Sequence, residues 1–165
     1  MADNILLSQD TVSAKLAKCF LKVPNSGGGF NRYNLFLAKK LEAKFEKKKT
    51  DVPRLGTIIT GHKSTGLNLT GTMTLYYATS LFREMILEFK KTGKDIYFEI
   101  QITNEDPTTS LGRQTIILKN CNIDSGTLAL FDATSDDPLE EEVAFTFDDF
   151  DMPEEFKELI GLKVA

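Results

Sequence analysis

The stretch that most constrains this chain runs from Thr60 to Lys91 and reads TGHKSTGLNLTGTMTLYYATSLFREMILEFKK. Leu67, Leu69, Met73, Leu75 and Tyr77 fall on alternate positions, with Asn68, Thr70, Thr72, Thr74 and Tyr76 between them. A period of two means a strand with one buried and one polar face. Threonine dominates the polar face, and its branched Cβ suits a pleated surface. Past Tyr77 the period lengthens. Leu81, Phe82, Met85, Ile86 and Phe89 share one helical face, with Arg83, Glu84, Glu88 and Lys90 off it. Ser80 stands at the N-cap position and Gly93 at the C-terminal stop. A long strand therefore feeds one amphipathic helix, which must cover an apolar sheet face.

The remaining segments read mostly as strands. Ser13 to Val23 is one, stopped by Pro24, and Asn25 to Asn34 is a Gly- and Asn-rich surface loop. Leu35 to Phe45 alternates, KKKTDVPRLG reads as a solvated tip, and Leu55 to Thr60 returns as a strand. Ile96 to Thr103 is half-buried. Gln114 to Ile123 carries apolar residues on both faces and belongs in the centre of a sheet. Strands are also expected at Thr127 to Ala133 and Glu142 to Phe150. Asp151 and Glu154 have capping-box spacing, Pro153 stands in a first turn, and Phe156, Leu159 and Ile160 form a stripe, so a short C-terminal helix is expected. The fold class is mainly β: two packed antiparallel sheets, a sandwich or barrel, with one flanking α-helix and that terminal helix. Residues 1–165 form one domain with an extended arm at about 46–63.

Charge is unevenly placed within a formal net charge of −4. Bases crowd the arm: Lys47, Lys48, Lys49, Arg54, His62 and Lys63. Acids crowd the last third, among them Glu140, Glu141, Glu142, Asp148 and Asp149. This is either a pair of solvated patches or a basic and an acidic pole suited to head-to-tail contact. No apolar run approaches the ~18 residues of a membrane span, and the start MADNILLSQD lacks the bases and apolar core of a signal peptide. A cytoplasmic site of synthesis follows as the expectation. In that compartment Cys19 and Cys121 are expected as buried free thiols.

Catalytic chemistry finds little support. Gly56 to Ser64 approximates a phosphate-binding loop, but His62 intrudes before Lys63 and a strand follows where that loop needs a helix. His62, the only histidine, has no nucleophile motif or metal-ligand spacing beside it. Glu140, Glu141 and Glu142 lack calcium-loop spacing. The expectation is no enzyme, no cofactor and no metal.

Three stretches together carry a resemblance: Thr60 to Gly66, the threonine-rich strand with Gly71-Thr72 and its helix, and the ending LEEEVAFTFDDFDMPEEF from Leu139 to Phe156. In this order they resemble the inner tail tube protein of contractile phage tails and phage-tail-like particles, of the Gram-positive prophage type. The resemblance spans about Gln9 to nearly the C-terminus. It implies a structural protein that assembles into hexameric rings. Each copy would lend four strands to a continuous barrel lining a lumen, and the rings would stack into a tube inside a sheath. The implied partners are further copies of itself, the tail sheath, the baseplate and tail terminator proteins, and tape measure protein or DNA in the lumen. The implied location is a virion or tail-like particle, reached from the bacterial host cytoplasm. The arm with Lys47, Lys48, Lys49, Arg54, His62 and Lys63 would reach an adjacent ring. Glu140, Glu141, Glu142, Asp148 and Asp149 would be its acidic partner face, and Asn68, Thr70, Thr72 and Thr74 would face the lumen or, alternatively, form the outer face of an ordinary sheet.

One departure stands out: Pro24 to Tyr33 is longer than the tight turn the resemblance leads one to expect. It is either an insertion on the tube exterior or a displacement of the first hairpin. The competing functional class is a monomeric β-sandwich binding module whose basic arm grips nucleic acid or an acidic protein.

Overall fold

A computed structural model describes residues 5–25 and 27–164. After a short 3-10 turn at Ser8–Asp10 come β1 (Ala17–Pro24), β2 (Phe30–Asn34), β3 (Ala38–Val52), β4 (Gly61–Tyr76), α1 (Leu81–Thr92), β5 (Phe98–Glu105), β6 (Arg113–Ser125), β7 (Glu140–Thr146) and β8 (Asp149–Glu154). All pairings are antiparallel. The order is β2-β1-β5-β6-β7-β4-β3, with β8 also on β6.

Where two packed antiparallel sheets were expected, the strands form two groups, β2-β1-β5-β6-β8 and β6-β7-β4-β3, that are continuous through β6 as one hydrogen-bonded sheet of eight strands. The reason lies in β6. Its first part pairs with β5 and β8, and Asn122 to Ser125 pair with β7. Between the two parts, three steps on β6 from Leu118 to Cys121 oppose two on β5 from Ile100 to Phe98. Asn120 sits in this bulge at φ 56°, a left-handed conformation that asparagine tolerates. A bulge bends its strand, which lets β6 leave one half of the sheet and join the other. Both halves share one core, which includes Leu21 of β1, Ile100 of β5, Leu118 of β6, Leu75 of β4 and Phe145 of β7.

Helix α1 turns Phe82 and Met85 into that core. Gly93 ends it at φ 72° with its N–H on the Phe89 carbonyl, as the sequence anticipates. Ser80 makes no side-chain cap; the Thr79 hydroxyl accepts from the Leu81 N–H instead, at 3.2 Å. The segment before β1 is held by Asp106, whose carboxylate accepts from the Ser13 N–H and from Thr108. Those bonds, the Thr108 hydroxyl first, hold its pKa below the usual carboxylate value.

Four further expectations change. The Asn25 to Asn34 loop contains β2, so the Gly-rich segment builds the first hairpin. Asn25 Oδ1 accepts from the Gly27 and Gly29 amides, while Gly28 takes φ 81°. Leu55 to Thr60 is not a strand; it is the tip between β3 and β4. Thr127 to Ala133 is irregular, because its alternation finds no strand to pair with and leaves Leu128 and Phe131 exposed. The C-terminal helix is replaced by β8 and a turn. Lys119 to Asp151 and Arg113 to Glu154, each 2.6 Å, tie β8 to β6. The Lys157 N–H then goes to the Leu111 carbonyl, so local helix bonding loses to a long-range partner. Pro153 is accommodated because β8 pairs with β6 alone.

Candidate assembly surfaces

Three strands place the expected lumen residues on one polar face. Across β3 and β4, Lys40, Glu42, Lys44 and Glu46 stand opposite Thr74, Thr72, Thr70 and Asn68. Across β4 and β7, Thr70, Thr72 and Thr74 stand opposite Thr146, Ala144 and Glu142. Asn68, Thr70 and Thr72 are exposed and Thr74 is half-buried. The intervening residues Gly71, Met73 and Leu75 are buried. One face of this three-stranded ribbon is therefore wet and the other is core.

The ribbon has a free edge. Among the described residues, strand β3, 15 residues long, pairs with β4 alone. A long unpaired edge invites another chain, and its lysines and glutamates restrain that in a single molecule. Beyond Cys121, β6 has no strand on its β5 side among the described residues. This gives the same half of the sheet a second open edge.

The arm is the outer end of the β3–β4 hairpin. Pairing of β4 with β7 stops at Thr70, and β3 and β4 continue together to Val52 and Gly61. The nine residues Gly61 to Leu69 carry the hairpin about 30 Å further at ~3.4 Å per residue. Lys47, Lys48 and Lys49 lie on β3, His62 and Lys63 on β4, and Arg54 at the tip, all exposed. His62 Nε2 is 3.4 Å from the Asp51 carboxylate. Arg54 donates to the Ile59 carbonyl at 3.3 Å. The tip is apolar as well as basic: Leu55, Ile58 and Ile59 project into solvent. Sequence reasoning missed this because LGTIIT, taken as a strand, implies burial. Cross-strand pairing also leaves Phe45 and Leu67 of the arm exposed on the side that is core further in.

The acids do not form one surface. Glu140 pairs with Lys39 and Glu142 lies across from Thr74, both on the polar face of β7. Glu141 points the other way, and its side chain is fully buried. It does not belong to an exposed partner face. Its Oε2 receives two nitrogens of Arg83, each at 3.1 Å, and Arg83 stacks over Tyr77. Asp148 accepts from Asn120, and Asp149 lies opposite Lys119. These two stand at the far end of β7, away from the three glutamates.

The approximated phosphate-binding loop leads into β4, with no helix N-terminus to meet a phosphate. Cys19 and Cys121 are free; Cys121 is buried as expected, Cys19 only half-buried, and desolvation pushes both thiols up to about 12. Among the described residues no helix is long and apolar enough to cross a membrane.

Residues 4–154 match the family described as phage tail tube protein. The chain belongs to that family. It is 38% identical over 153 residues to the phage-like element PBSX protein XkdM of Bacillus subtilis strain 168, covering 93% of this chain and 97% of that one. In fold it is similar to a chain of the sheath–tube complex of the PVC extracellular contractile injection system in its extended state. That match has a TM-score of 0.59 at 16% identity, covering 86% of this chain and 90% of that one. It is similar also to the SPP1 tail tube, with a TM-score of 0.60 at 9% identity, covering 89% and 81%. The tail tube family is structural, and the chain is not an enzyme.

Proposed function

We propose that this tail tube protein is one self-assembling unit that forms hexameric rings, which stack into the inner tube of a contractile tail. The observation that carries the reading is the β3–β4–β7 ribbon, polar on one face, packed on the other and open at its edge. Adding the end of β6 gives four strands per copy. Edge β3 of one copy meets the open side of β6 in the next, and ring closure removes both free edges. About 24 strands at ~4.8 Å give a circumference on the order of 115 Å before tilt, enough for an aqueous channel. Asn68, Thr70, Thr72 and Thr74 then face the lumen, with Glu140, Glu142 and Lys40 near them.

The arm, with Lys47, Lys48, Lys49, Arg54, His62 and Lys63, bridges to an adjacent ring. The tube's outer partners are the sheath, the baseplate and a terminator, and tape measure protein or DNA occupies the lumen. Assembly follows synthesis in the bacterial cytoplasm. The test is negative-stain electron microscopy of concentrated protein at low salt, alone and mixed with purified tail baseplates. Hollow tubes or six-fold rings are expected. Protein that stays monomeric under both conditions overturns the reading in favour of a monomeric binding module.

A further inference from the structure

We infer that the apolar arm tip is a plug for a cleft between α1 and β7 on a second copy of this chain. The inference rests on the stacked-ring reading and adds the receiving surface and the chemistry of the contact. Leu55 and Ile58 are completely exposed, at 105% and 102%. Two fully exposed aliphatic side chains at the end of a long hairpin are a contact surface in search of a cover.

The cleft has a volume of about 200 Å³ and a mainly apolar lining that includes Phe82, Ile86, Ile123, Leu128 and Val143. Leu128, on its rim, is 71% exposed. At the cleft, Glu141 Oε1 is buried with no donor among the described residues. That oxygen is sealed from solvent, and the same carboxylate is held through Oε2 by Arg83, so the open part of the cleft is its apolar wall.

Geometry excludes the tip from its own cleft. Val143 and Glu141 pair with Met73 and Leu75, at the opposite end of β4 from the tip. Gly61 and Met73 are about 40 Å apart along the strand, at ~3.3 Å per residue. Plug and cleft therefore sit at opposite poles of one molecule, the arrangement of a head-to-tail contact. Charge agrees in sign. Arg54 and Lys63 flank the tip; in the cleft lining Arg83 and Glu141 neutralise each other, which leaves Asp124, and the segment beyond Leu128 carries Asp132, Asp136 and Asp137. Burial of the aliphatic tip supplies adhesion, and the charges supply orientation.

Two full-length variants, Ile58→Cys and Leu128→Cys, test this. Both positions are exposed, so the fold is preserved; of the native thiols Cys121 is buried and Cys19 half-buried, and wild-type protein treated alike gives their background. Each variant alone and an equal mixture are assembled, treated with a short bis-maleimide and resolved by denaturing electrophoresis. Electron microscopy is run in parallel. A cross-linked dimer is expected in the mixture, at least tenfold above either variant alone. Tubes without that dimer overturn the plug and leave the tube reading standing. The dimer without tubes supports the plug and removes the tube. Neither dimer nor tubes overturns both.

Discussion

Gly71 shows how one residue sets the packing of the strand that organises this fold. It stands opposite Phe145 across β4 and β7. A Cβ built on it falls 2.4 Å from the Phe145 ring. That ring is 1% exposed and packs at 6.2 Å from Phe147, so it has no free direction in which to move. Gly71→Ala is therefore an overpacking change, expected to lower unfolding stability by about 1–3 kcal/mol. Urea unfolding checks it, and unchanged stability would show that the ring can swing aside. The glycine breaks the apolar alternation between Leu69 and Met73. The sequence shows the break without naming the ring that fills it.

At the scale of elements, α1 is held to the sheet by packing and by one buried ion pair. Arg83 projects from the helix to Glu141 on β7, also donates to the Thr79 and Thr127 carbonyls, and so links helix, strand and the loop after β6. Sequence patterning places Arg83 off the apolar face and reads Glu141 as one of three solvated acids. The first reading holds; the second fails for Glu141, which is fully buried. Alternation with Val143 and Phe145 already puts Glu141 on the inner side of β7; what the sequence lacks is the partner there, an arginine reaching round the helix. A buried pair contributes modest net stability, but a lone buried carboxylate is expensive. Arg83→Ala is expected to cost about 3–5 kcal/mol, and adding Glu141→Gln to restore part of it. A double-mutant cycle by thermal or urea unfolding measures the coupling, and additive losses would mean the pair does not act as a unit.

For the whole molecule, the proposed tube puts the polar face of the β3–β4–β7 ribbon on its channel. Thr72 is exposed and central on that face. In assembled tubes, a cysteine at Thr72 is expected to react with a small maleimide. A conjugate wider than the channel should label it at least tenfold less than in disassembled protein. Equal labelling by both reagents would place the threonines on an ordinary outer surface. Wild-type tubes give the background from half-buried Cys19 and buried Cys121, whose thiols are raised to about 12 and hold little thiolate at neutral pH.

Whatever depends on neighbours along the chain was legible in the residues alone. Alternation from Leu67 to Tyr77 set which face of β4 is buried in its inner half. The longer period from Leu81 to Phe89 set α1, and Gly93 set its end. The order of motifs gave the family. Tertiary structure decided what depends on residues far apart in sequence. The bulge at Asn120 joined two expected sheets into one, and pairing with β6 drew Asp149 to Glu154 into a strand where capping residues promised a helix. Side chains of β7 parted Glu141 from Glu140 and Glu142. The tip at Leu55 to Ile59 makes the physical reason plain. An apolar pattern states that a surface avoids water, but only the placement of every other element states whether anything in the same chain can cover it.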